Sequence, residues 1–121
     1  MEITEELIAA TRVSILDLLR LLSDLEAQLD YERTVRIASV PAELVCSWFD
    51  DGYQPTSQTF QRAFGAAERA ALAEFHSLFE SACSELPNPL PGLMDLHKHT
   101  AWGRICTGAR RALAQLPNAA A

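Results

Sequence analysis

Leu7-Ile8-Ala9-Ala10-Thr11-Arg12-Val13-Ser14-Ile15-Leu16-Asp17-Leu18-Leu19-Arg20-Leu21-Leu22-Ser23-Asp24-Leu25-Glu26-Ala27-Gln28-Leu29 is the stretch that decides the fold class. Within it Ile8, Thr11, Ile15, Leu18, Leu22, Leu25 and Leu29 recur three and four residues apart, the spacing that aligns side chains along one face of an α-helix. Thr4 before the run offers an N-cap hydroxyl, and Glu5 and Glu6 place acids at the positive end of the helix dipole. One long helix is therefore expected over residues ~4–30. Leu7, Leu16, Leu19 and Leu21 widen the stripe beyond a two-position seam, so the helix should pack against more than one neighbour in its own domain. The competing use of the same stripe is a homodimer interface, which would make the chain a regulatory or structural module.

Helical spacing recurs downstream. Tyr31 to Val40 reads either as alternating strand residues or as a continuing helical face; a lone strand would have nothing to pair with, so a helix or an irregular connection is expected. Pro41 fits the first position of a new helix carrying Glu43, Leu44, Val45, Trp48 and Phe49, closed by Gly52 in the left-handed conformation and blocked by Pro55. Ser57 can cap a short helix holding Phe60 and Phe64, which Gly65 interrupts. Leu72, Phe75, Leu78, Phe79, Cys83 and Leu86 trace a core helix, with Glu68, Glu74, Glu80 and Glu85 on its wet side. Three prolines between Pro87 and Pro91 fix a loop, and Thr100 can cap a last helix of Trp102, Ile105, Cys106, Ala109, Leu113 and Leu116 that ends before Pro117, with Asn118 to Ala121 frayed. The expected fold is all-α: a single domain over residues 1–121, a bundle of about five helices with a long N-terminal one.

Composition agrees with a self-sufficient core. A chain of 121 residues can bury roughly two thirds of its unfolded surface, and 49% hydrophobic with 21% charged residues is globular rather than disordered composition. The start of the chain lacks the basic leader of a secretory signal, and no apolar run approaches the ~18 residues of a membrane span, so a cytoplasmic location is expected. Cys46, Cys83 and Cys106 lie far apart among apolar neighbours, the setting of buried reduced thiols rather than of a disulfide framework or metal site.

Charge is uneven. Residues 1–85 hold fifteen acids against six bases, and residues 86–121 one acid against four bases. With Lys98 the single lysine and no basic stripe, phosphate backbones find no footing, so no nucleic-acid partner is expected. An acidic surface either keeps a protein in solution or speeds its encounter with a basic protein.

Catalytic templates are missing. There is no Gly-rich phosphate cradle, nucleophile elbow or HExxH, no cysteine has an electropositive setting with a nearby base, and adjacent carboxylates such as Asp50 and Asp51 rarely face each other across a substrate. Asp95, His97 and His99 alternate and could converge on a transition metal only from an extended segment; on a helix they fan apart, and no other ligand pair has matching spacing. His76, beside Phe75, reads as a partly buried histidine with a hydrogen-bond partner. The expectation is no enzyme, no cofactor and no metal.

One feature stands against local physics. Asp50 and Asp51 follow directly on the apolar end of a helix, where the dipole is negative and a carboxylate loses roughly a few tenths of a kcal/mol. Either an arginine or backbone donors compensate inside the fold, or the pair is displayed to a basic partner with Trp48 and Tyr53 beside it. Trp48 and Trp102 both fall in apolar helical patterns, which assigns them to the core and leaves Tyr53 as the preferred anchor.

The segment Val45-Cys46-Ser47-Trp48-Phe49-Asp50-Asp51-Gly52-Tyr53-Gln54-Pro55, with Phe60, Phe64, Ala70-Ala71-Leu72-Ala73-Glu74-Phe75 and Trp102, resembles small acidic bacterial immunity proteins of contact-dependent growth inhibition systems, over roughly residues 44–106. The resemblance implies an all-helical inhibitor whose acidic face plugs the basic substrate groove of a toxin effector domain, often a nuclease, without catalysis of its own. Carried over by position, Asp50, Asp51 and Tyr53 are the partner-binding candidates, and Glu43 on the preceding turn is grouped with them.

Overall fold

The structure, a computed structural model, describes residues 2–35 and 39–116, and among them every regular element is helical. Helix α1 spans Glu5–Leu22 and begins where the sequence places it, with the Thr4 hydroxyl accepting from the Leu7 amide at 3.1 Å. Its inward face is Ile15, Leu16, Leu19 and Leu22, all buried. Of the expected seam in this helix Ile15 and Leu22 are buried, while Ile8, Thr11 and Leu18 are half-buried; Leu16 and Leu19, from the wider stripe, complete the face that packs with residues of α4 (Gln58–Ala63) and α7 (Thr100–Ala114).

The expected single helix to residue ~30 is two helices, because α2 (Leu25–Thr34) restarts after a break at Ser23 and Asp24. Four side chains account for the break. The Asp24 carboxylate caps the Glu26 amide at 3.1 Å, and the Ser23 hydroxyl donates to the Arg20 carbonyl at 2.8 Å. The Gln28 amide donates to the carbonyls of Leu21 and Leu22, at 3.0 and 3.1 Å, and the Arg110 guanidinium donates to that of Ser23 at 2.7 Å. The carbonyls that a helix end orphans are thus satisfied by side chains, which removes the need to continue the helix. Across the break Leu22 is buried and Leu29 packs partly buried against the same core, while Leu25 is half-buried outside it.

Helix α3 (Val40–Cys46) starts one residue earlier than expected: Ser39 caps the Ala42 amide and Pro41 sits at the second position, where its missing N–H is still harmless. Helix α5 (Ala66–Cys83) packs chiefly on α7, burying Ala71, Leu72, Phe75, Phe79 and Ala82. The short α6 (Leu93–Leu96) follows the proline loop, and α7 starts at Thr100 itself, so that residue does not serve as its cap. Among the described residues seven α-helices and one π-helical turn replace the expected count of about five, because short elements at residues 25–34, 47–52 and 93–96 are too brief for periodicity to separate them. Of the stretch from Tyr31 to Val40, Tyr31 to Thr34 end α2 and Val40 begins α3; residues 36–38, Ile37 among them, lie outside the described residues, as do Asn118 to Ala121. No helix among the described residues is long and apolar enough to cross a membrane.

One ion pair locks α1 onto the α4–α5 corner. Arg12 makes two hydrogen bonds to the Glu68 carboxylate, at 2.9 and 2.7 Å, donates to the Ala63 carbonyl at 3.0 Å, and lies 5.3 Å from the Phe64 ring centre. Glu68 also accepts from the Gly65 amide at 2.9 Å, which starts α5 without a capping side chain at its first position. The hydrogen bonds from Arg12 hold the Glu68 carboxyl below the usual carboxylate range, against the opposing effect of its burial.

Candidate functional site

After Cys46 the backbone widens into a π-helical turn, Ser47–Gly52, rather than ending in a left-handed glycine; no described glycine has positive φ. The Tyr53 amide donates back to the Trp48 carbonyl at 2.9 Å, five residues away. Gly52 permits this for a different reason from the one expected: a Cβ there would lie 2.8 Å from the Ser47 carbonyl oxygen and 3.3 Å from the Leu18 side chain. The glycine allows close approach, and the wide turn depends on it.

The extra residue re-aims the side chains on either side of it. Trp48 and Tyr53 stack with ring centres 5.1 Å apart and planes 7° apart, a pairing that an ordinary α-helical turn would not align. The Trp48 indole donates to His76 Nδ1 at 3.1 Å, which assigns the proton of a neutral His76 to Nε2. Tyr53 lies over both partners of that bond, 4.6 Å from the His76 ring centre, and meets Phe60 edge-on. Trp48 is fully enclosed, as its helical pattern predicts, while Tyr53 is half-buried with its phenol pKa raised by burial. Its ring already packs against three internal neighbours, so what Tyr53 can present outward is an edge rather than a face.

On the opposite side of α3 and the π turn stand the carboxylates. Leu44 and Trp48 face the core, which turns Glu43, Cys46 and Asp50 outward, three and four residues apart. Glu43, Asp50 and Asp51 are exposed, and none is in an ion pair among the described residues. The internal arginine that local physics asks for is not at Asp50 or Asp51: Arg12 serves Glu68, on the other flank of α1. Cys46 is exposed, which corrects the expectation of a buried thiol there; Cys106 is buried as expected and Cys83 is half-buried. Local dehydration and then the charges of Asp50, Glu43 and Asp51 raise the Cys46 pKa, and burial pushes Cys83 up to about 11, the reverse of nucleophile activation.

Between α1 and the π turn runs a groove of about 450 Å³. Ile15, Leu18 and Phe60 give it an apolar floor, hydroxyls and amides form most of its walls, and Asp51 is the charged residue among those lining it. Its position was hidden in the sequence, since it depends on the widened turn and on which side of Gly52 α1 passes.

Asp95, His97 and His99 do not converge. Asp95 is exposed and paired with Lys98 at 3.3 Å, while His97 turns inward and is half-buried. His97 Nε2 is 2.8 Å from the Oε1 of Gln28, a side chain with no exposure, so that nitrogen carries the proton. The indole of Trp102 then also donates to Gln28 Oε1, at 3.3 Å. With both amide protons on the Leu21 and Leu22 carbonyls, Gln28 uses its full hydrogen-bonding capacity. Burial lowers the His97 pKa, favouring the neutral ring this arrangement needs. Among the described residues no three metal-ligating side chains cluster. Gln28 escaped the sequence reading because a lone glutamine on a leucine-rich face carries no spacing signal.

No protein-family model, curated protein or solved structure matches the chain.

Proposed function

We propose that this chain is a non-enzymatic binding protein that inhibits a basic partner through the face carrying Glu43, Asp50 and Asp51, in the manner of the bacterial immunity proteins its sequence resembles. The observation that carries the reading is the display itself: three carboxylates, exposed and outside any ion pair among the described residues, stand along α3 and the π turn, and two of them, Asp50 and Asp51, lie at the end of the helical run where the dipole disfavours them. Charges kept where local physics disfavours them point to a use elsewhere. A nuclease must offer Arg or Lys to phosphates, and a carboxylate array can occupy the same groove as a charge mimic, raising association rate and specificity more than raw affinity. Tyr53 supports the face from behind by filling the space against Trp48 and His76. A homodimer through α1 would have to draw on Ile15, Leu19 and Leu22, which are already inside the monomer.

The test is capture of purified basic nuclease toxin domains by the wild-type chain and by the double variant Asp50→Lys, Asp51→Lys, with folding of both verified by circular dichroism. Capture by the wild type and loss in the folded double variant is the expected result. Equal capture by both, or capture by neither, overturns the proposal.

A further inference from the structure

We infer that the groove between α1 and the π turn is a socket for one arginine side chain of that basic partner; the inference rests on the proposed inhibitory role and adds to it the chemistry of a single contact. Its volume, about 450 Å³, falls in the range of pockets that enclose small organic groups. The floor of Ile15, Leu18 and Phe60 suits the aliphatic stem of an arginine, which gains by lying on apolar surface while its head stays polar. At one wall stands Asp51, exposed and in no ion pair among the described residues, and the surrounding hydroxyls of Thr11, Ser14 and Ser47 add acceptor oxygens. Thr11 donates its proton to the Leu7 carbonyl at 2.9 Å, which leaves its oxygen lone pairs for an incoming donor.

One carboxylate among several neutral acceptors matches a guanidinium better than an ammonium. A planar fork with five donors can bridge Asp51 and neighbouring hydroxyls at once and is weakly hydrated, whereas the compact ammonium of lysine gives up more water for fewer bonds. The widened turn makes this possible by keeping Asp51 on the groove side, while Glu43 and Asp50 line the outer face with Cys46. Asp51 is thereby the carboxylate that belongs to both the acidic face and the groove.

The experiment uses N-acetylarginine N-methylamide as probe and the neutral citrulline analogue as its control, followed by amide chemical shifts in the wild-type chain, Asp51→Asn and Ser14→Trp. Ser14 is exposed and lines the groove, so an indole there blocks it without altering charge or core. The expected result is saturable shifts around Thr11, Ser14, Gly52 and Gln54 with the arginine probe, reduced to the citrulline baseline in both variants. Equal shifts with citrulline, non-saturating shifts spread over all surface carboxylates, or shifts that survive Ser14→Trp overturn the socket. In capture of a toxin domain, Ser14→Trp should weaken binding roughly tenfold, the size of one charge-assisted contact. Loss of capture in the Asp50→Lys, Asp51→Lys variant with no probe binding leaves the acidic face standing and removes the socket. Probe binding with capture unaffected by charge reversal removes the partner from the socket.

Discussion

Trp48 and Trp102 are both fully enclosed, and both direct an indole N–H into a site shared with a histidine. Around Trp102 everything is closed: Gln28 joins the end of α1, the turn after α6 and α7, and every polar atom it carries is satisfied inside. Around Trp48 the same kind of pair belongs to a helical run that also carries exposed carboxylates and borders an open groove. Tryptophan and histidine are structural in both places. What separates the two is the backbone beside them, an ordinary helix at Trp102 and a π-helical turn at Trp48. Widened turns of this kind are rare and often mark functional sites.

The sharpest way to break the closed half is Gln28→Leu. It strands the Leu21 and Leu22 carbonyls, the His97 Nε2 proton and the Trp102 indole N–H together, and should cost roughly 3 kcal/mol or more by urea denaturation. A loss under about 1 kcal/mol would show that water or a rearranged His97 takes over.

In the open half, Gly52→Ala drives a Cβ to 2.8 Å from the Ser47 oxygen and should cost roughly 2 kcal/mol, while Gly103→Ala on α7, with nothing within 4 Å of its Cβ, should gain up to about 1 kcal/mol. Opposite signs from two helical glycines would separate the π turn from an ordinary helix.

Glu68→Gln probes the clamp that holds α1 against the α4–α5 corner. Because the Glu68 pKa is lowered in the folded state, its stabilisation is complete above the unfolded-state value of ~4.3 and disappears as pH falls through the folded value. The variant should be about 1–2 kcal/mol weaker at neutral pH, and the gap should close in acid. Parallel pH curves for wild type and variant would mean that the two bonds from Arg12 contribute nothing.

Smallest of all, neutralising both acids with Asp50→Asn and Asp51→Asn should leave the fold equally stable or roughly 0.5 kcal/mol more stable, since the carboxylates sit at the negative end of a helical run. A clear loss of stability would assign them a structural role and end the display argument.

Much of the closed half was readable in the sequence. Apolar residues at three- and four-residue spacing predict α1, α5 and α7, and the same spacing places Trp48 and Trp102 inside. What could not be read is set by contacts between distant residues. The break at Ser23 exists because Gln28 and Arg110 reach its carbonyls, and Arg110 comes from 87 residues away. The π turn exists because Gly52 lets the Ser47 carbonyl come close. The apolar neighbours of Cys46 predict burial, but its position shares an exposed helical face with Glu43 and Asp50. The acids themselves stood out at once, since they contradict the helix dipole whatever the rest of the fold does.

The most direct measurement is the association rate of a basic nuclease toxin domain with the wild-type chain and with Asp50→Lys, Asp51→Lys, at low and at physiological salt. A fast, salt-sensitive rate is expected for the wild type and a slow, nearly salt-independent rate for the folded variant. Identical rates with identical salt dependence would contradict the acidic-face reading.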